Sequence, residues 1–181
     1  LLYKKRGTPL EPIMFGGDQE GGFRPGTVPV PEVCGFARAL SLIIKDESEV
    51  IRLREIQNYF TAHLLKIIRE LSLSSRISIS GDSAISNRAP HIVHIVVRGI
   101  ESDQLVLLLD ARGIYVSSQA ACKSGKSHGE AIRNLFDLKD TDGTIRFSFG
   151  ITTTKKDVDY VIQELFLILQ KICAFEQQIN M

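Results

Sequence analysis

The stretch HIVHIVVRGIESDQLVLLLDARGIYVSS, residues 91–118, changes its periodicity twice. HIVHIVVRG is a β-branched run that reads as a buried strand. ESDQLVLLLDARG then takes on a helical spacing, with Ser102 or Asp103 placed as N-cap and Gly113 as terminator. IYVSS returns to strand character. A strand, a short helix and a second strand in so little chain predict a layered domain with helices against one sheet.

The flanks extend the pattern. RISISG (76–81) alternates like a strand, and GEAIRNLF (129–136) reads as a short helix. DGTIRFSFG (142–150) reads as a strand after an Asp-Gly turn. A last helix starts near TTTKKD (152–157), where Thr154 and Asp157 resemble a capping box. Val158, Val161, Ile162, Leu165, Phe166, Leu169 and Ile172 give it one apolar face. From residue 76 the expected order is β-β-α-β-α-β-α, a small α/β or α+β layer.

Upstream, two helical runs precede the layer. The first begins at Pro31, with Val33, Phe36, Ala37, Leu40, Ile43 and Ile44 on one face. The second covers about Glu47 to Leu71, with Ile51, Leu53, Ile56, Phe60, Leu64, Leu65, Ile68 and Leu71. The polar KDESE (45–49) between them predicts a break or kink, with a solvated helix face as the alternative. MFGGDQEGGFRPGTVPVP (14–31) has neither period, so it reads as an ordered loop or an arm. The expected division is therefore 1–31 as one segment and 32–181 as connecting helices plus a small domain. LLYKK, residues 1–5, reads as a strand already in progress, which predicts a fragment of a longer chain.

Composition bounds the function. The 181 residues are 44% hydrophobic and 24% charged, ordinary for a globular protein. A net charge of +1 argues against an electrostatic partner such as nucleic acid or an anionic membrane. No apolar run reaches the roughly 18 residues that span a bilayer. Cys34, Cys122 and Cys173 lie far apart without metal-ligand spacing, which predicts a reduced, cytoplasmic setting and no metal. Cys34 and Cys173 sit on apolar helical faces and read as core cysteines.

Cys122 differs. It lies in VSSQAACKSGKSHGE (116–130), where glycines supply mobility and Lys123, Lys126 and His128 supply positive charge that favours a thiolate. An incidental exposed cysteine in a basic loop fits the same residues equally well. Arg146 shares a strand face with Ser148, while Ile145, Phe147 and Phe149 take the other. It is suited to grip a carboxylate, or to a structural ion pair. In the glycine-rich stretch, Arg24 and Thr27 offer a guanidinium and a hydroxyl to a phosphate, although such loops more often serve shape alone. His91 and His94 stand at i,i+3, on opposite faces of a strand, which argues against a shared metal, and His63 is isolated.

Three stretches together resemble one family, the cysteine desulfurases. GGDQEGGFRPGTVPVPEVCGFARAL (16–40) resembles its G-G-x-Q-E-x-G-x-R-x-G-T-x-x-x-P segment and the helix that follows. VSSQAACKSG (116–125) resembles its cysteine loop S-S-G-S-A-C-x-S-G. TIRFSFGITTTKKDVDYVI (144–162) resembles I-R-F-S-L-G-R-x-T-T-x-E-E-I-D-x-x-I. The resemblance implies the C-terminal portion of a fold-type I, pyridoxal 5'-phosphate-dependent transferase, with residues 1–31 the tail of the cofactor-binding domain. It implies conversion of L-cysteine to L-alanine, with sulfur left on Cys122 as a persulfide for iron–sulfur cluster assembly or tRNA thiolation. Arg146 takes the place of the arginine that binds the substrate carboxylate, and Thr27 that of the residue reaching the cofactor phosphate of the other subunit of a homodimer. Arg24 belongs to the same arm. A sulfur acceptor or scaffold protein is the implied partner.

Departures accompany the match. Nothing matches the family's lysine stretch H-K-x-x-G-P-K-G, so the chain is expected to be inactive alone. Gln119, Ala120 and Ile151 replace the family's Gly, Ser and Arg, and SNRAPHIVHIVV (86–97) lacks its L-P-N-x-x-N-x-S pattern. A selenocysteine lyase or an aminotransferase of the same fold, or a non-catalytic scaffold or sulfur relay, are the competing expectations. A loop cysteine favours desulfuration, because transamination needs none.

Overall fold

A computed structural model describes residues 2–45, 47–81, 87–118, 134, 136–139 and 141–179, with side chains to residue 175. The chain divides into two compact units, Leu1–Glu47 and Ser48–Met181.

The first unit holds the glycine-rich stretch and helix α1 (Val30–Lys45). Residues 2–5 form no strand, contrary to the sequence expectation. The arm tightens into a 3₁₀ turn at Gln19–Gly22. Its backbone turns left-handed at Gly21 and Gly22, a conformation that glycine adopts without steric cost. Gln19 then ties the turn to the following loop, its Oε1 accepting from the Gly26 N–H at 3.1 Å. None of the side chains of α1 is buried. Cys34 is therefore exposed, which corrects its reading as a core residue.

The second unit is a layer of helices on a four-stranded sheet. Its elements are α2 (Ser48–Glu70), β1 (Ile77–Ile79), β2 (Ile92–Val97), α3 (Ser102–Asp110), β3 (Ser117–Ser118), β4 (Gly143–Ser148) and α4 (Lys155–Ile179). The expected break between the first two helices is present. The predicted helix at 129–136 lies largely outside the described residues, of which Asn134 and Phe136 are helical. The sheet order is β1-β2-β4-β3. Every pairing is antiparallel, so the layer is of the α+β kind.

Alternation along the strands sorts the two faces. Val93, Ile95, Val97, Ile145 and Phe147 join the apolar stripes of the helices in one core. Helix α2 contributes Ile56, Phe60, Leu64, Ile67 and Ile68, and α4 contributes Val158, Leu165, Ile168 and Leu169. Phe60 is the hub, with ring centroids 4.8 Å from Phe147 and 5.4 Å from Phe149. Burying each such side chain contributes ~1.5–3 kcal/mol. Cys173 packs against this core, as its apolar face predicts.

Polar anchors fix the registration of helices on sheet. Gln57 is 1% exposed. Its Nε2 donates to the carbonyls of Ala89 and Ile92 at 2.7 and 2.8 Å, which docks the start of β2 on α2. Arg52 is held by Glu49 at 2.8 Å. The same guanidinium donates to the carbonyls of Gly150, Ile151 and Thr153, which fixes the turn between β4 and α4. That turn feeds a capping box: the Thr154 N–H donates to Asp157 Oδ2 at 2.8 Å, and the Asp157 N–H returns a bond to Thr154 Oγ1 at 3.3 Å.

Two local expectations are corrected. Neither Ser102 nor Asp103 caps α3; the N-cap is Glu101, without a side-chain bond. The Ser102 hydroxyl instead accepts from the Thr144 N–H of β4 at 2.8 Å. IYVSS pairs only through Ser117 and Ser118, opposite Arg146 and Ile145. Gly113 does terminate α3, with φ +70° and its N–H donated to the Asp110 carbonyl at 2.8 Å.

Candidate functional site

The sheet face opposite the apolar core carries a polar row. His94 of β2 pairs with Arg146 of β4, and Arg146 pairs with Ser117 of β3. Ser80, just past β1, donates its N–H to the His94 carbonyl at 2.9 Å. Ser80, His94, Arg146 and Ser117 thus run side by side across all four strands. Directly paired side chains on one sheet face stand about 4.5–5.5 Å apart at Cβ, within mutual reach.

The bonding within the row is uneven. His94 Nδ1 lies 2.7 Å from Ser80 Oγ. Arg146 Nη2 donates to Ser117 Oγ at 3.2 Å. His94 Nε2 and Arg146 Nε are both buried and have no hydrogen-bond partner among the described residues. Thr61 Oγ1 shares that condition. A buried donor left unpaired costs about 1–3 kcal/mol, more when it is charged. Two such nitrogens on directly paired residues of one sheet face are both groups whose bonds an oxygen anion would restore. Among the described residues no carboxylate forms an ion pair with Arg146.

The electrostatics follow from position. Burial pushes the His94 imidazole below its ordinary value, and the neighbouring Arg146 charge pushes it further down. His94 is therefore held neutral near pH 7. Phe136 lies beside it, with ring centroids 5.9 Å apart and the planes tilted by 33°.

Of the four residues singled out from sequence, the three that are described fall in two places. Arg146 lies at the centre of the row, on the strand face expected for it. Arg24 and Thr27 lie together in the first unit. Arg24 Nη1 donates to the carbonyls of Gly26 at 3.3 Å and Thr27 at 2.8 Å, so its charge organises its own loop. Thr27 is exposed, and its hydroxyl makes no hydrogen bond among the described residues. Cys122, with residues 119–133, lies outside the described residues. Sequence reasoning missed His94, Ser80 and Ser117. The available signal was the parity of HIVHIVV, which sets His94 on the face away from Val93 and Ile95. Among the described residues there is no cluster of metal ligands, and no helix is long and apolar enough to cross a membrane.

Comparison with known proteins gives a consistent answer. The family model for aminotransferase class-V matches residues 2–161. A protein of Dictyoglomus turgidum named cysteine desulfurase IscS is 30% identical over 94% of this chain and 42% of that protein. Cysteine desulfurase NifS of Azotobacter vinelandii is 33% identical over 91% of this chain and 40% of that protein. A solved structure titled NifS-like protein superposes with a TM-score of 0.70 and 25% identity, over 93% of this chain and 41% of the other. The chain thus spans about two fifths of the length of these relatives.

Proposed function

The chain belongs to the class-V aminotransferase family, and from that premise we propose that it serves cysteine desulfuration, as the part of such an enzyme that holds the substrate carboxylate and carries the sulfur-accepting thiol. The observation that carries this reading is Arg146: a part-buried guanidinium whose buried Nε has no partner among the described residues, on the strand where the family resemblance puts the carboxylate clamp. The names of the relatives, cysteine desulfurase among them, support the substrate class.

Each residue then has a task. Arg146 orients L-cysteine by a charge-assisted grip on its carboxylate, with Ser117 steadying Nη2 at 3.2 Å. Cys122 attacks the substrate sulfur; an S–S bond forms at its Sγ as the substrate Cβ–Sγ bond breaks, and L-alanine leaves. The persulfide passes its sulfur to an acceptor or scaffold protein, for iron–sulfur cluster assembly or tRNA thiolation.

The residues present fit one edge of pyridoxal 5'-phosphate. Thr27 offers a hydroxyl that makes no hydrogen bond among the described residues, on a loop whose glycines admit close approach, and Arg24 shapes that loop from within. When bound, the cofactor supplies the electron sink that the reaction needs. In the resemblance Thr27 contacts the cofactor of the second subunit, so the reading includes a homodimer. No lysine of this chain matches the family's cofactor anchor, so we expect the 181 residues alone to release no alanine.

The test is alanine and sulfide release from L-cysteine by the natural gene product carrying these residues, with pyridoxal phosphate and a reductant. Release that is lost in Cys122→Ser and weakened in Arg146→Gln supports the reading. Amino transfer to a keto acid, undisturbed by Cys122→Ser, overturns it in favour of an aminotransferase. Absence of both activities overturns it in favour of a non-catalytic module.

A further inference from the structure

We propose that His94 is a second arm of the substrate site, its Nε2–H donating to the same α-carboxylate that Arg146 grips. This rests on the carboxylate role proposed for Arg146.

Three observations converge. First, His94 and Arg146 are direct cross-strand partners on one sheet face, which brings their side chains within mutual reach. Second, each presents a buried nitrogen without a partner among the described residues, His94 Nε2 and Arg146 Nε. One carboxylate oxygen pair satisfies both, because it is acceptor-only and offers about four lone-pair directions. Third, Ser80 Oγ sits 2.7 Å from Nδ1. A hydroxyl rotates to suit its partner. When it donates to Nδ1, the imidazole carries its proton on Nε2, the nitrogen without a partner among the described residues. A bound anion selects that tautomer.

Charge explains why an imidazole suits the position. A second permanent cation beside Arg146 would repel it, and burial would add to the cost. A neutral imidazole gives a donor without that repulsion. Arg146 is the charged group the His94 ring meets among the described residues, and burial and that charge hold its proton affinity down. A bound carboxylate offsets the Arg146 charge, removes its downward push on the ring and draws it toward imidazolium. The site thus tightens its grip only when an anion is present.

The test uses the natural gene product carrying these residues, loaded with pyridoxal phosphate, with isotope-labelled histidine and arginine, and L-alanine as the carboxylate probe. On titration, the Arg146 Nε–H and His94 ring resonances are expected to move together, with the His94 pKa rising. His94→Phe, which keeps the ring and removes the donor, weakens L-alanine binding roughly tenfold, the usual effect of one hydrogen bond to a charged group. His94→Gln, which restores an N–H near the place of Nε2, recovers most of it. If Arg146 responds while His94 stays still and His94→Phe binds as well as the parent chain, the second arm is overturned and the carboxylate role of Arg146 stands. If neither resonance moves, both are overturned. The parent-chain titration decides the matter even where a substitution disturbs folding.

Discussion

His94 and Arg146 stand directly opposite each other on β2 and β4, on the same face of the sheet, and each has a buried nitrogen without a partner among the described residues. The Arg146 charge is one of two causes lowering the His94 pKa, and burial is the larger. Replacing Arg146 with Met removes the charge and keeps most of the apolar volume. The His94 pKa should rise in Arg146→Met but remain below the ordinary 6.5, because the burial persists. An NMR titration of the imidazole checks this. A full return to the ordinary value, or no change, contradicts the pairing.

The same lowered pKa sets a pH dependence of stability. Between the His94 pKa in the folded chain and its ordinary 6.5, the unfolded chain binds a proton that the folded chain does not. Stability from this group is thus complete above 6.5 and is lost as pH falls through the folded value. Urea midpoints measured on either side of 6.5 should show the loss, and His94→Gln should flatten it relative to the parent chain. An equal slope in both proteins removes His94 as the cause.

Local pattern made the helices legible and left the site half hidden. The apolar stripes of α2 and α4 appear in sequence because burial repeats at the helix period. The stripe of α1 appears as well, yet nothing of it is buried, since periodicity reports an amphipathic face and not what covers it. Arg146 was recognisable from strand parity. Its neighbours were not, because His94 and Ser117 reach it through antiparallel register, which joins residues far apart in the chain. Viewed locally, His94 was only half of a histidine pair that failed as a metal site. Ser102 looked like a helix cap for the same reason: its actual partner, the Thr144 N–H, lies on a distant strand.

Asp142 closes the turn that launches β4. Its side chain is 5% exposed. Its oxygens accept from the Gly99 N–H at 2.7 Å and the Lys139 N–H at 3.0 Å, with Arg98 Nη1 at 3.5 Å. Burial pushes this carboxyl up, but the two N–H donors and the Arg98 charge outweigh it and hold the pKa below the ordinary 3.8. Asp142→Ala should cost about 1 kcal/mol, the net worth of the lost hydrogen bonds, because the Gly99 and Lys139 N–H groups are exposed and can turn to water. Because the pKa is lowered, the contribution is present above 3.8 and is lost as pH falls through the folded value. Chemical denaturation should therefore separate parent and variant near neutrality and bring them together in acid. A difference that persists unchanged in acid assigns the cost to packing instead.

Gly143 is the first residue of β4, and space rather than turn geometry requires it. The sequence placed it in an Asp-Gly turn, where glycine usually serves a left-handed backbone, yet it is not among the residues with positive φ. A Cβ here would stand 2.5 Å from the Ile100 carbonyl oxygen and 2.5 Å from the Ser102 nitrogen, with the Glu101 carbonyl carbon at 2.9 Å. All three are backbone atoms, so no side chain can swing aside. They belong to the segment that starts α3, and the Ser102 hydroxyl there receives the Thr144 N–H. Gly143→Ala must push α3 off β4 and stretch that bond. The expected loss is about 3 kcal/mol or more, at the upper end for overpacking. Because β4 carries Arg146, the displacement should also move the Arg146 Nε–H resonance. A variant with parent stability and an unmoved Arg146 signal would falsify this close approach.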